Sequence, residues 1–359
     1  MTHQLDAIRL WRLAVPLVKP YRLSFGLVTA YDTIIAELID TDGRRSWGEA
    51  TLLTGYTDET IDGAWRIACE LAPQLLRMER DPFAAHCAAA GVKAPFTATA
   101  FMSAYEMLAG SEVLRPGARR VPILGLLHAT EPGAVREEFA ALLEAGYQTI
   151  KVKVGFDVDV DTQNVHAIQS VVAGRAAIRL DANQGYSASQ AVKFLKALDP
   201  AGIELFEQPC AAGDWAAHAE AVKAARVPMM LDESIYGLAD IERAAREQQA
   251  AYVKVKLMKF ISLKALVEAI LRIRSLGMRP VLGNGVANDL GCWMEACVAA
   301  NLIENAGEMN GFLKPSHGLF ADPLKFEYGH IVLPAQHTPT LDLAALRRYQ
   351  VAEWSSVTH

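Results

Sequence analysis

A repeat of short β-rich runs constrains the fold of this chain most strongly from about residue 121 onward. Eight such runs occur, and each begins 24 to 28 residues after the one before it. The segments between them carry apolar residues near i, i+3, i+4 and i+7, which is the pattern of amphipathic helices. Strands that alternate with helices at this spacing predict an α/β fold with a (β/α) barrel, and a doubly wound open sheet is the alternative. The predicted strands cover residues 121–127, 149–154, 177–182, 203–208, 228–233, 252–257, 279–284 and 305–311.

The first 115 residues follow a different pattern. Residues 7–17 and 33–50 read as strands with the turn signal Asp42-Gly43, and two helical patterns come after them. This combination predicts an α+β unit ahead of the barrel. The tail contains a further strand pair that we expect to return to that unit. We therefore divide the chain into an α+β unit (1–115), a barrel (116–320) and a C-terminal segment (321–359).

Composition excludes several classes of protein. The chain has 359 residues, of which 52% are hydrophobic, and its net charge of -6 argues against nucleic acid or an anionic membrane as the main partner. No uncharged apolar run approaches the 18 residues of a membrane span, and the start does not resemble a signal peptide. The five cysteines are odd in number and show no CxxC spacing, so they fit reduced thiols in a cytoplasmic protein.

Ionisable residues gather at the C-terminal ends of the predicted barrel strands, where barrel enzymes carry their active sites. Strands 2 and 6 each carry two lysines and lie opposite each other in a ring of eight. The three strands between them end in carboxylates. Lysine is almost never fully buried unless it is paired, so this order indicates a site rather than chance. The residues are Lys151 and Lys153, Asp181, Glu207, Asp232 and Glu233, and Lys254 and Lys256.

Carboxylates on three neighbouring strands are hard oxygen ligands that suit Mg²⁺. A lysine on each side of the metal would reach both faces of a substrate carbon. Removal of an α-proton from a metal-bound carboxylate produces an enediolate, whose charge the metal spreads. A lysine can act as the base when its pKa is lowered by burial and neighbouring cations. The alternative is a set of salt bridges that closes the mouth of the barrel.

The segments "TIKVKVG", "RLDANQGYS", "FEQP", "LDES" and "KVKLMK" resemble the enolase superfamily, specifically its muconate-lactonizing-enzyme subgroup. "RRSWGEA" resembles the signature of that family's capping domain. The resemblance implies a modified TIM barrel, (β/α)7β, with an α+β N-terminal capping domain that the C-terminal tail completes. It further implies one Mg²⁺ on Asp181, Glu207 and Asp232, with Lys153 and Lys256 as the acid/base pair, an arrangement known in this superfamily.

The resemblance also suggests substrate contacts and shows departures. Lys151, Glu308, Phe25 and Tyr56 are the candidate contacts, and Glu308 resembles the strand-8 glutamate of cycloisomerases. Strand 7 ends in "GNGVAND" without a histidine, and strand 8 lacks the Asp-x-Asp of dipeptide epimerases. Lys254 lies where many relatives have asparagine. It is expected to pair with Glu233 or to attract a second substrate carboxylate.

These features predict an Mg²⁺-dependent isomerase, either a cycloisomerase or a racemase/epimerase, that acts on a small-molecule carboxylate. The alternatives are a lyase of the same superfamily, such as a dehydratase or an o-succinylbenzoate-synthase-like enzyme, and a non-catalytic binding barrel. A free substrate ammonium would be repelled by the lysines and the metal. We therefore expect little turnover of L-Ala-L-Glu-type dipeptides, and better turnover of dicarboxylates or N-acylated acids. A homo-oligomer is expected.

Overall fold

The computed structural model describes residues 5–23, 26–52, 59–76, 78–284 and 286–356. The strands in this part of the chain are β1 (Leu5–Leu23), β2 (Gly26–Asp40), β3 (Arg45–Leu52), β4 (Arg119–Pro122), β5 (Gly125–Leu127), β6 (Thr149–Lys153), β7 (Ala177–Asp181), β8 (Ile203–Glu207), β9 (Met229–Leu231), β10 (Tyr252–Val255), β11 (Arg279–Leu282), β12 (Lys325–Glu327), β13 (His330–Leu333) and β14 (Gln350–Ser355). The helices are α1 (Ile61–Leu75), α2 (Arg80–Gly91), α3 (Pro95–Leu108), α4 (Pro132–Glu144), α5 (Val158–Val172), α6 (Ala188–Ala197), α7 (Trp215–Ala224), α8 (Leu238–Arg246), α9 (Leu257–Phe260), α10 (Leu263–Ser275), α11 (Asp289–Leu302) and α12 (Leu343–Tyr349).

A parallel sheet of seven strands forms the barrel, in the order β11-β10-β9-β8-β7-β6-β5. Its two edges meet on a two-residue segment, because Gly307 bridges Ile123 beside β5 and Glu308 bridges Gly283 beside β11. The amide of Glu308 donates to Leu282 O at 2.9 Å. Seven βα units followed by one short β segment make the modified TIM barrel that was predicted. The open-sheet alternative is wrong.

The first and last predicted barrel strands differ in detail from the expectation. Residues 121–127 are divided between two sheets, since β4 pairs antiparallel with β13 and only β5 joins the barrel. The eighth strand, predicted over 305–311, is reduced to the bridges at Gly307 and Glu308. Apolar residues of the barrel strands are buried on both faces, as in other parallel sheets covered by helices.

The N-terminal unit is an antiparallel sheet in the order β14-β1-β2-β3, with α1 to α3 beside it. The predicted turn connects β2 to β3, and Gly43 has the positive φ of +78° that such turns favour. The carboxylate of Asp40 accepts from the amides of Asp42 at 3.1 Å and Arg44 at 2.8 Å, which closes this turn. The α+β character is confirmed, whereas α2 was not predicted.

The C-terminal segment contributes to two sheets. The predicted strand pair, β12 and β13, forms but pairs with β4 instead of the N-terminal sheet. The last strand, β14, pairs with β1, with Trp354 opposite Leu10. The boundaries 1–115, 116–320 and 321–359 stay a prediction. Across the described ranges no helix has the length and apolar character needed to cross a bilayer.

Candidate active site

The strand ends bring the predicted site residues to one end of the barrel. Lys153, Asp181 and Glu207 are the last residues of β6, β7 and β8, and the register places Lys153 beside Asp181 and Asp181 beside Glu207. Asp232 follows β9 directly, and Lys256 follows β10 directly. Because parallel strands end at the same edge of a sheet, residues that are far apart in sequence become neighbours here.

The loop after β6 is held by close backbone contacts. Gly155 has a φ of +98°, and a Cβ at this position would lie 2.3 Å from the carbonyl oxygen of Ala182. The carboxylate of Asp161, at the start of α5, accepts from the amides of Gly155 and Phe156 and from the hydroxyl of Tyr186 at 2.6 Å. These contacts fix the ends of β6 and β7, and with them Lys153 and Asp181.

Asp181 is fully buried and surrounded by donors. Its Oδ2 lies 2.6 Å from the Nζ atoms of both Lys151 and Lys153, and its Oδ1 accepts from the amide of Asn183 at 2.9 Å. Burial alone would raise the pKa of Asp181, but the charges of Lys151 and Lys153 outweigh it and hold that pKa well below the ordinary value. The carboxylate is therefore ionised at neutral pH.

Glu207 is equally buried but less well satisfied. Its Oε1 accepts from Lys254 Nζ at 2.7 Å. Its Oε2 lies 2.9 Å from Lys151 Nζ but has no hydrogen bond of acceptable geometry. Burial, together with the charge of Asp181, raises the pKa of Glu207 to about 7. One oxygen of this carboxylate is thus available to a further cation.

Asp232 binds two lysines. Its Oδ2 accepts from Lys256 Nζ at 2.7 Å, and its Oδ1 accepts from Lys259 Nζ at 2.8 Å. Burial opposes ionisation, but Lys256 and Lys259 lower the pKa of Asp232 well below its ordinary value. Burial also lowers the pKa of Lys259 to about 8, and its ammonium lies 4.8 Å from the ring centroid of Tyr236.

Glu308 lies between the two lysines that occupy the inner positions of their strands. Its Oε1 is 2.6 Å from Lys151 Nζ, and its Oε2 is 2.6 Å from Lys254 Nζ. Lys254 therefore pairs with Glu207 and Glu308, and the expected pair with Glu233 is not the one formed. Glu233 accepts instead from the side-chain amide of Asn183 at 2.9 Å.

The ammonium of Lys151 lies within 3 Å of three carboxylates, Asp181, Glu207 and Glu308. Burial alone would lower its pKa, but the charges of Asp181, Glu207 and Glu308 raise it well above the ordinary value. Lys151 consequently stays charged and binds protein carboxylates in this arrangement. Its predicted contact with substrate stays a prediction. The predicted substrate contact of Glu308 stays a prediction as well, and the remaining candidates, Phe25 and Tyr56, lie outside the described residues.

Three residues of the site were not singled out from the sequence. Lys259 and Asn183 lie within the segments "KVKLMK" and "RLDANQGYS", so the resemblance of these segments to the family could have indicated both residues. Glu295 of α11 accepts from the amide of Leu257 at 3.0 Å, directly after Lys256. Nothing in the sequence indicated that contact, because it joins residues 38 positions apart across the barrel wall.

The carboxylates suit Mg²⁺ by their chemistry. Asp181, Glu207 and Asp232 offer only oxygen donors, and Glu207 Oε2 lacks a hydrogen bond. In this arrangement lysine ammonium groups lie between the carboxylates. Accordingly, within the described part of the chain, no group of three or more His, Cys, Asp or Glu side chains is arranged so that it could hold a metal ion. To bind these carboxylates, a divalent cation would have to displace the lysine ammonium groups that now contact them.

Comparisons with known proteins agree with the geometry. Residues 134–338 match the family described as Enolase C-terminal domain-like. The chain is 31% identical over 264 residues to an L-Lys-D/L-Arg epimerase of Methylococcus capsulatus, which covers 68% of this chain and 72% of that protein.

Solved structures share the fold over nearly the full length. A crystal structure of N-succinyl Arg/Lys racemase from Bacillus cereus has a TM-score of 0.88 at 23% identity, covering 99% of this chain and 100% of that one. A dipeptide epimerase from Cytophaga hutchinsonii, complexed with Mg and the dipeptide D-Ala-L-Val, has a TM-score of 0.84 at 20% identity and covers 98% of this chain and 99% of that one. With a family match over more than half of its length, this chain belongs to the enolase superfamily.

Proposed function

We propose that the protein is an Mg²⁺-dependent racemase or epimerase that moves a proton at the α-carbon of a small carboxylate. The observation that carries this proposal is the pair Lys153 and Lys256. They lie at the ends of β6 and β10, on either side of the carboxylate-bearing strands, and each bonds to a different carboxylate, Asp181 or Asp232. The names of the relatives, which are a racemase and epimerases, support the same reaction class.

Proton transfer from both faces needs two groups that exchange roles. In the proposed reaction one lysine, in its neutral form, takes the α-proton, and the other, as the ammonium, returns a proton to the opposite face. The side chain of Lys153 is 45% exposed whereas that of Lys256 is 4% exposed, so Lys153 is on the side open to solvent. Asp181, Glu207 and Asp232 would hold Mg²⁺, which when bound neutralises charge on the substrate carboxylate.

The charges of the site support a substrate with a neutral or anionic α-substituent. Both oxygens of Glu308 already bind a lysine, Lys151 or Lys254. Lys314 adds positive charge close to Glu308 and Lys153. A substrate ammonium would therefore gain little attraction and meet several cations. We propose an N-acylated amino acid or a dicarboxylate as substrate, with dipeptides as the competing class because they occur in the relatives' names.

A substrate panel in D₂O tests the reaction and the substrate class together. The panel contains N-succinyl amino acids, a muconate and L-Ala-L-Glu, and NMR follows α-proton exchange. We expect exchange with the N-succinyl acids and little with the dipeptide. Ring closure or elimination instead of exchange would assign the protein to the cycloisomerases or lyases. Dipeptide turnover near an ordinary rate of roughly 10 s⁻¹ would contradict the substrate class.

Single variants separate the two lysines. Lys153→Ala should still exchange the α-proton of one enantiomer but not of the other, and Lys256→Ala should show the opposite preference. Racemisation should fall by about 10²–10⁴-fold or more in both, the range that general acid–base groups contribute. Lys193→Ala is the control, because the side chain of Lys193 is 58% exposed and pairs with Asp159 on the surface instead of with a carboxylate of the site. Full activity in both single variants would exclude this pair. The homo-oligomer and the cytoplasmic location stay predictions.

A further inference from the structure

Lys254 is a charged residue in the interior of the barrel, and it is 1% exposed. Its Nζ lies 2.7 Å from Glu207 Oε1, 2.6 Å from Glu308 Oε2 and 3.7 Å from Asp232 Oδ2. It thus contacts two of the three proposed metal ligands and ties one of them to Glu308. A lysine buried to this extent requires acidic partners, and these three carboxylates supply them.

The lysines that form ion pairs around Lys254 are matched in number by acidic side chains. Five lysines of the site form ion pairs with four carboxylates, and Glu233 lies half-buried beside them as a fifth acid. A divalent cation would bring two positive charges into this balanced set. Its binding must therefore displace an ammonium from a carboxylate or bring in negative charge from a ligand. The lysines are Lys151, Lys153, Lys254, Lys256 and Lys259.

We propose that Lys254 is an internal counter-ion that competes with the metal for Glu207 and so lowers the affinity of the site for Mg²⁺. The proposal rests on the metal site of the proposed function. In the structure the ammonium of Lys254 compensates the charges of Glu207, which is buried, and of Glu308, whose side chain is 17% exposed, and so reduces the repulsion between them. When Mg²⁺ binds, it shares Glu207 with that ammonium and is repelled by it. A negatively charged substrate offsets this repulsion.

Calorimetric titration with Mg²⁺ alone tests the proposal. The proteins are the wild type, Lys254→Met and the control Lys193→Met, which makes the same substitution at an exposed lysine. We expect the Kd for Mg²⁺ to fall by about tenfold or more in Lys254→Met, because a positive charge within contact of the ligand is removed. The control should bind Mg²⁺ as the wild type does. Lys254→Met should also gain more thermal stability from added Mg²⁺ than the wild type gains.

A second variant keeps the proposal testable if Lys254→Met does not fold. Lys254→Met leaves the charges of Glu207 and Glu308 with less compensation, whereas Lys254→Met with Glu308→Gln removes one charge of each sign. This double variant should fold and should also bind Mg²⁺ more tightly, since Glu207 no longer bonds to a lysine at position 254. Unchanged or weaker Mg²⁺ binding in the folded variants would overturn the role of Lys254 alone. No Mg²⁺ binding to any of the proteins would overturn the metal site itself, and this inference with it.

Discussion

Individual carboxylates of the site differ in how strongly lysines hold them. Asp232 has a separate lysine on each carboxylate oxygen, Lys256 on Oδ2 and Lys259 on Oδ1, and Lys259 also donates to the backbone carbonyl oxygen of Asp232. Its lowered pKa follows from these charges. Both the lysines and a divalent cation bind the ionised form of this carboxylate.

Replacement of that charge should weaken metal binding. Asp232→Asn keeps the shape of the side chain but removes its charge, so we expect the Kd for Mg²⁺ to rise by at least about tenfold. Calorimetry measures this, with circular dichroism to show that the variant is folded. Asp159→Asn, which changes an exposed carboxylate of α5, should leave Mg²⁺ binding unaltered. Equal affinity in Asp232→Asn and the wild type would remove Asp232 from the ligand set.

Among the elements, β6 and β7 depend on a close approach of their following loops. Gly155 has a positive φ of +98°, and a Cβ would lie 2.3 Å from Ala182 O. Gly174, after α5, has a positive φ of +73° as well, but no heavy atom lies within 4 Å of the position of its Cβ. The two glycines thus share a backbone requirement and differ in the space around them.

Alanine at these two positions should separate strain from crowding. Gly174→Ala should lower the free energy of unfolding by about 1 kcal/mol, the cost of a positive φ for a residue with a Cβ. Gly155→Ala should lower it by several times as much, because the loop must also move away from Ala182. Chemical denaturation measures both values. Similar losses of unfolding free energy in the two variants would show that the loop can move away from Ala182 without an energetic cost.

Buried acids join the N-terminal sheet to α11, and α11 to the segment that follows the last barrel strand. Glu49 of β3 accepts from the amides of Asn288 at 2.6 Å and Gly291 at 2.9 Å, which belong to the start of α11. Asp289 accepts from the amides of Leu319 at 2.7 Å and Phe320 at 2.8 Å. Because these acids satisfy backbone amides rather than lysines, burial dominates their ionisation.

The pH dependence of stability should reflect these acids. Burial raises the pKa of Asp289 to about 7 and that of Glu295 to about 8, against ordinary values near 4. The folded protein therefore keeps protons that the unfolded chain has released. The stability due to these groups is complete below about pH 4 and is lost as pH rises through 7 and 8.

Asp181 and Asp232, which are paired with lysines, have the opposite effect, because their pKa values are lowered in the folded protein. Asp181 and Asp232 contribute stability above about pH 4, and it is lost as the solution becomes more acidic. We expect the highest Tm in weakly acidic solution and a decline toward pH 9. The double variant Asp289→Asn with Glu295→Gln should show a shallower decline in thermal melts across this range, and the exposed change Glu137→Gln should not. The same decline in all three proteins would contradict the assignment.

The repeat of apolar runs determined the architecture by itself. Strand and helix periods are local properties of the chain, so the alternation of strands and helices, a (β/α) barrel and the α+β unit could be predicted from them. The modified (β/α)7β form was implied by the resemblance to the enolase superfamily. The order of charged residues around the end of the barrel could also be predicted from the sequence, because parallel strands end at one edge of the barrel whatever their side chains are. Lys153, Asp181 and Glu207 consequently lie side by side as their positions in the sequence indicated.

Only the tertiary structure decided which charges meet. Lys254 binds Glu207 and Glu308 rather than Glu233, and β12 and β13 pair with β4 rather than the N-terminal sheet. Such choices depend on the direction of side chains inside the barrel and on which sheet edge remains unpaired. The ring itself closes at Gly307 and Glu308, through contacts between segments far apart in the chain. No local pattern encodes a contact of that kind, because its energy arises only after the barrel has closed.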